Sequence, residues 1–320
     1  MDLPVERFER ILDQLPMLEE IKLMGVGEPL LNPQFFDLVR CAKRRHIRVW
    51  TITNGTTLDL QEHRREIISC GLERLEVSID SVNPQVHARW RGGSDLGEIV
   101  DGLRRLVELR GRSRRPQLKI WTVGNPDNLA ELPALVSCAA DIGLDGLTYA
   151  SQMSSWGKDD VYARLEGCRL DPQSVDLARY LNEARGQSRK RNLAFRVWSV
   201  EQCNAERPCS WPWGSCMITA EGYVTRCAIA SDPRLHNFGT VHETPFKTIW
   251  NSPEYQEFRR AHRDHKVPAI CRWCYGLEKQ HRIESEGGST GANCERGAAC
   301  LSQSATAAEV RNNFMSAGSC

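Results

Sequence analysis

The first 200 residues alternate between short apolar or β-branched runs and longer stretches with helical spacing, and few folds accept that order. Residues 2–15 read as a helix. Pro4 suits its first turn, and Val5, Phe8, Leu12 and Leu15 fall on one face. Residues 20–24 (EIKLM) read as a short strand running into GVGEPLLNP, and Pro33 opens a second helix behind Asn32. Residues 47–53 (IRVWTIT) form the next strand, ended by the turn pair Asn54-Gly55. A helix over 59–70 stops at Gly71, and the strand over 75–79 closes with Asp80. The order then repeats: helix 97–109, strand 118–123, helix 129–142 stopped by Gly143, and strand 146–150. A polar loop, a long helix over 175–191 and a last short strand over 194–198 follow. This alternation predicts an α/β fold with a mainly parallel sheet and helical crossovers.

Beyond about residue 200 the texture changes. Cysteine, tryptophan and proline cluster in ERPCSWPWGSC, and the alternation is lost. A second, smaller domain is expected over 200–284, after a first over 1–199. From 285 to 320 the chain turns to Gly, Ser, Ala and Asn, too poor in apolar residues to repay ordering, so a flexible tail is expected. Its Cys294, Cys300 and Cys320 read as free thiols. Lys and Arg total 42 against 41 Asp and Glu, which argues against non-specific nucleic-acid binding. No run approaches the ~18 apolar residues of a membrane span, and the N-terminus is acidic and amphipathic rather than a secretory signal. The cytoplasm is therefore the expected compartment, and the 13 cysteines point to metal ligation before disulfides.

The useful cysteines are Cys209, Cys227, Cys271 and Cys274. Cys271 and Cys274 form a C-x-x-C step, which binds one metal centre from a single turn. The stretch MITAEGYVTRC leading into Cys227 reads as a hairpin turning near Glu221-Gly222, and so presents a second pair. Four thiolates suit zinc or an iron–sulfur cluster, and spacing alone does not choose. Cys203 or Cys216 is an alternative ligand, and His262 and His265 offer a Cys–His zinc site.

These segments carry a family resemblance. LMGVGEPLLNP, then TITNG, then LEVSIDS resemble the radical SAM superfamily along residues 19–150. The segments C-x-W-P-W, I-T-x-x-G-x-V-x-x-C, FGTV, IWNSPEYQEFR and C-x-x-C resemble its SPASM/Twitch auxiliary region, in the one-cluster Twitch form. The resemblance implies a partial (β/α)6 TIM-like barrel followed by a small Cys-rich α+β auxiliary domain with a 4Fe-4S cluster on Cys209, Cys227, Cys271 and Cys274. It implies that Gly25, Gly27 and Pro29 lie against the methionyl end of S-adenosylmethionine, with Glu28 near its amino group. Thr53, Asn54, Ser78 and Asp80 become candidates for the ribose and adenine side.

The family's C-x3-C-x2-C motif does not occur in the sequence. Only five barrel strands are counted, 20–24 to 146–150, with the first strand and its cysteine loop missing. The expectation is a chain start placed too late, with that loop upstream. A degenerate member is the competing explanation. The catalytic 4Fe-4S cluster is expected only if that N-terminus is present.

The implied activity is reductive cleavage of S-adenosylmethionine and hydrogen abstraction from a peptide or small polar substrate. The auxiliary cluster assists, and flavodoxin or ferredoxin supplies an electron. Neither nucleic acid nor membrane is an expected partner. A zinc- or cluster-stabilised scaffold that recognises a peptide is the alternative, and a Cys–His nucleophilic enzyme the weakest one. The loop over 151–160 with Trp156 reads as a surface loop, and Arg91-Gly92-Gly93 carries no assigned role.

Overall fold

The computed structural model describes residues 2–25, 27–151, 168–171, 173–198, 203 and 206–275. Val26, most of the loop carrying Trp156, and the expected tail with Cys294, Cys300 and Cys320 lie outside the described residues.

Six strands form one all-parallel sheet: β1 (Glu20–Leu23), β2 (Arg48–Thr53), β3 (Arg74–Ser78), β4 (Gln117–Val123), β5 (Gly146–Ala150) and β6 (Ala194–Trp198). They lie in chain order. Parallel crossovers are right-handed, so a monotonic strand order puts every connecting helix on the same face. Those helices are α2 (Phe35–Arg44), α3 (Gln61–Ser69), α4 (Pro84–Trp90), α5 (Leu96–Arg110), α6 (Leu132–Ile142) and α7 (Val175–Arg191); α1 (Val5–Asp13) precedes β1 and packs its Phe8 and Leu12 into the same core. The main core forms where alternate strand residues, such as Val49, Leu75, Val77, Leu118, Ile120 and Leu147, meet Phe35, Leu38, Leu103, Leu106 and Leu135. The other sheet face presents the remaining parity of each strand and is free of this core. The result is an open, singly covered sheet, the architecture of a partial barrel.

Two elements differ from the sequence expectation. Residues 194–198, left out of the barrel count, pair with β5 from Gly146↔Ala194 to Ala150↔Trp198 and complete a six-stranded sheet. Helix α4 was not anticipated. Asn83 caps it by accepting from the Gln85 and Val86 N–H groups, with Pro84 in its first turn.

The cysteine-rich part holds a one-turn helix α8 (Trp211–Gly214), the hairpin β7 (Met217–Ile218) and β8 (Val224–Thr225), then α9 (Phe246–Trp250) and α10 (Pro253–Arg263). The hairpin turns through Gly222 at φ +91°, as the sequence predicts. A second core of Val224, Val241, Ile249, Tyr255 and Phe258 closes over Ile11. Helix α1 therefore serves both parts: Phe8 and Leu12 enter the main core while Ile11 enters the second. Gln14, just past α1, donates to the Val241 carbonyl (3.1 Å) and accepts from the Phe246 N–H (2.8 Å).

Candidate functional site

The first two strands end on a polar junction centred on Glu28. Its Oε1 accepts from the Thr53 hydroxyl (2.6 Å) and the Leu30 N–H (3.1 Å), and its Oε2 from the Asn54 N–H (2.6 Å). The G-E-P turn after β1 is thereby tied to the T-N-G turn after β2. A carboxylate offers about four acceptor positions, so three donors leave one unfilled. Burial pushes the Glu28 carboxyl above its usual range, against the pull of these hydrogen bonds. Gly25 and Gly27 are exposed, and a side chain at Gly27 would meet nothing within 4 Å, so the backbone beside Glu28 is open to an incoming group. Pro29 starts a 3-10 turn over Pro29–Leu31 that Glu28 caps. Gly55 sits at φ +82°, with space for a Cβ blocked by Val77 Cγ1 at 2.8 Å.

Ser78 and Asp80 are buried at the next strand end. The Asp80 carboxylate takes the Arg91 guanidinium on both oxygens (2.6 and 2.9 Å) and the Val123 N–H (2.8 Å). Asn128 Nδ2 bridges the Asp80 and Val123 carbonyls (2.8 and 2.9 Å). Asp80 thus ties the ends of β3 and β4 to Arg91 just beyond α4, and Arg91 gains the role that its sequence context alone did not reveal. Ser78 stands in register with Trp121 of β4.

In the cysteine-rich part, Cys203 hydrogen-bonds Cys209, and both interact electrostatically with Cys271. Sharing its proton drives the Cys203 thiol up and brings Cys209 down to about 7. Cys227 and Cys209 also sense each other, and Cys274 senses Cys203. Backbone N–H groups face two of these sulfurs: Trp211 at Cys209, and Ile229 and Ala230 at Cys227. Burial pushes Cys271 up to about 12, and Arg226 faces both Cys271 and Cys227. Soft sulfur donors with N–H groups and a cation around them fit an iron–sulfur cluster. Among the described residues, no three His, Cys, Asp or Glu side chains close around a single metal-ion position.

The alternatives separate. Cys216 packs against the second core, and burial alone pushes its thiol up to about 12. His262 is a buried core histidine whose Nδ1 meets the Tyr275 hydroxyl (3.0 Å), between the rings of Phe258 and Trp213. Tyr275 in turn accepts from the Cys209 N–H (2.8 Å). His265 is exposed. In the barrel, burial raises the thiols of Cys41, Cys70 and Cys138, the opposite of an activated nucleophile.

A barrel with a Glu-centred turn at its strand ends, followed by a gathered cysteine set, defines an S-adenosylmethionine and iron–sulfur protein. Residues 1–139 match the Radical SAM superfamily, and residues 209–275 match the SPASM iron–sulfur cluster-binding domain. The chain belongs to the radical SAM superfamily, in the group whose barrel is followed by a SPASM domain. It is 24% identical over 289 residues to the tungsten-containing aldehyde ferredoxin oxidoreductase cofactor-modifying protein of Pyrococcus furiosus, covering 84% of this chain and 78% of that one. It is 23% identical over 290 residues to the AdoMet-dependent heme synthase of Methanosarcina barkeri, covering 85% and 80%. The fold matches crystal structures of Streptococcus suis SuiB bound to S-adenosylmethionine or to its precursor peptide SuiA. The TM-score is 0.62 at 14% identity, over 80% of this chain and 60% of SuiB.

Proposed function

We propose that the chain is a radical SAM modifying enzyme. When bound, S-adenosylmethionine and iron–sulfur clusters supply one-electron cleavage of the sulfonium and hydrogen abstraction from substrate. Gly25, Gly27 and Pro29 shape the turn that receives the methionyl end. Glu28 offers its unfilled acceptor position to the amino group, a charge-assisted hydrogen bond. Thr53 and Asn54 hold Glu28 in place. Ser78 faces the nucleoside side, and Asp80 positions that edge through Arg91. Cys209, Cys227, Cys271 and Cys274 are the auxiliary cluster ligands, with Cys203 beside the first. The C-x3-C-x2-C run does not occur in these residues, so no ligand to a catalytic cluster is assigned.

Residues 1–199 form the barrel unit and 200–284 the auxiliary one, with α1 shared. A peptide or small polar molecule is the substrate, as SuiB's precursor peptide illustrates for that protein. A one-electron donor such as flavodoxin or ferredoxin, and residence in the cytoplasm, complete the reading. No helix among the described residues is long and apolar enough to cross a membrane.

The observation that carries the cofactor site is the Glu28 junction, which joins two strand-end turns beside open glycine backbone. Anaerobic reconstitution followed by iron and sulfide analysis tests the cluster. Wild type is expected to hold about four irons per chain, and Cys271→Ala to lose them. Calorimetric titration with S-adenosylmethionine tests the pocket, with heat expected from wild type and lost in Glu28→Gln. Equal iron in both proteins removes the auxiliary-cluster assignment. Zinc in place of iron, with no heat of S-adenosylmethionine binding, leaves a non-catalytic scaffold.

A further inference from the structure

The sheet face opposite the helices is unusually cationic for an interior surface. Register places Lys22, Trp50 and Arg74 side by side across β1 to β3, and Glu76 beside Lys119 across β3 and β4. Trp121, Thr148 and Arg196 follow in the same way across β4 to β6. Lys22, Arg74, Lys119 and Arg196 therefore share this face with Glu76, while the paired Glu20 and Arg48 stand at the start of β1 and β2 on the same face. Glu76 is 3% exposed and within 3.4 Å of Arg74, and its Oε2 is buried with no hydrogen-bond partner. Lys22, Lys119 and Arg196 form no ion pair among the described residues. Lys119 feels repulsion from Arg74 and Arg196 and attraction from Glu76 and Asp145, and Lys22 feels attraction from Glu76 and repulsion from Arg74. Crowding of like charges is costly for the half-buried Lys22, Arg74 and Lys119, whereas Arg196 is exposed and free to meet an incoming group.

The face also carries indole rings. Lys22 Nζ lies 4.5 Å from the Trp50 ring centre and 5.3 Å from that of Trp121, and the Arg74 guanidinium lies 3.9 Å from Trp50. These contacts give two of the four cations partial compensation. Lys119 and Arg196 have no such ring contact among the described residues, although Glu76 and Asp145 attract Lys119; each stands two residues before a member of the Trp121–Trp198 pair, whose centres are 6.0 Å apart. A half-buried ammonium and an exposed guanidinium, neither locked in an ion pair and both set next to flat apolar walls, match a ligand with an oxyanion attached to an apolar body.

We propose that this inner face binds the substrate through a carboxylate or phosphate oxyanion held by Lys119 and Arg196, its adjoining apolar part lying against Trp121 and Trp198. Lys22 and Arg74 stand behind them and raise the local positive potential. Taking the ligand to be the substrate rests on the radical SAM reading, whereas the oxyanion site itself rests on these residues alone.

Calorimetry on the full chain tests it with three probes: triglutamate, inorganic pyrophosphate and triglutamine. Saturable heat is expected from at least one of the two anions and none from triglutamine. Binding should weaken with added salt. A Lys119→Gln/Arg196→Gln double variant should bind the same anion about tenfold more weakly. Lys190→Gln, on the exposed side of α7, should leave it unchanged. Triglutamate alone binding identifies a carboxylate-bearing substrate, and pyrophosphate alone a phosphorylated one. No saturable heat from either anion, or equal affinity in the double variant, overturns the proposal. Iron content and S-adenosylmethionine heat on the same samples keep the two readings apart, because either can fail while the other stands.

Discussion

The barrel and the cysteine-rich part are stabilised by different means. The barrel's core draws on every strand and on six of its seven helices, and its sheet is hydrogen-bonded from edge to edge. The cysteine-rich part has two-residue strands, short helices and a small second core that borrows Ile11 from the barrel side. Such a small core does not by itself offset the conformational entropy of its loops. Arg259 adds hydrogen bonds to the Pro212 and Trp250 carbonyls, and on the proposed reading the gathered thiols supply the rest through a bound cluster. The difference teaches that the barrel has a core and a hydrogen-bonded sheet of its own, while the auxiliary part, on the proposed reading, depends on its cluster. The largest effect is therefore expected from the cluster ligands. Cys227→Ser, or chelation of the iron, should open residues 206–275 to limited proteolysis while far-UV circular dichroism of the barrel persists. Structural metal sites contribute on the order of 10 kcal/mol to small domains. Protease resistance unchanged in the metal-free protein would break the contrast.

Next in size is a perturbation confined to the barrel. At Gly55 a Cβ would meet Val77 Cγ1 at 2.8 Å and Ile99 Cγ2 at 3.0 Å, on a backbone already at φ +82°. Gly55→Ala should cost about 3 kcal/mol in urea unfolding, from overpacking and left-handed strain together. Iron in the auxiliary part should be retained. Thr53→Val should cost less, about 1–2 kcal/mol, because it removes one donor to the half-buried Glu28 carboxylate and leaves Asn54 and Leu30 in place. Its distinguishing readout is S-adenosylmethionine affinity, which should fall more than stability does. A loss confined to stability makes the Glu28 junction a turn fastener only.

Much of this was legible in the sequence, and unevenly so. Helix α7 and strands β5 and β6 match the predicted ranges, because their periodicity is strong and Gly143 marks a boundary. Glu28, Thr53 and Asn54 were readable as strand-end residues, but not that one carboxylate would join them, since 25 residues separate Glu28 from Thr53. Asp80 read as a ligand candidate. Its commitment to Arg91 depends on α4, a seven-residue helix whose Asn83-Pro84 start signal was the clue available. Lys22, Arg74, Lys119 and Arg196 were invisible as a group, because only strand register places them on one face.

An effect of opposite sign, similar in size to that at Thr53, sharpens the contrast between the two faces of the sheet. Burial brings the Lys22 ammonium down from 10.5 to about 8, with Glu76 opposing that shift and Arg74 reinforcing it. The groups around it are these two side chains and the rings of Trp50 and Trp121. Its folded-state affinity for the proton is lower than in the unfolded chain, so the unfolded state binds more protons between pH 8 and 10.5. Stability should therefore rise across that window in wild type, and the penalty is fully present below pH 8. Lys22→Met removes the penalty and keeps the aliphatic volume. It should stabilise the protein by about 2 kcal/mol at pH 7, and the difference should shrink as pH rises toward 10.5. Urea unfolding of both proteins at pH 7, 8.5 and 10 reads this directly. A difference that stays constant with pH would mean that Lys22 titrates like a solvent-exposed lysine, and that the inner face is as wet as the outer surface of the helices.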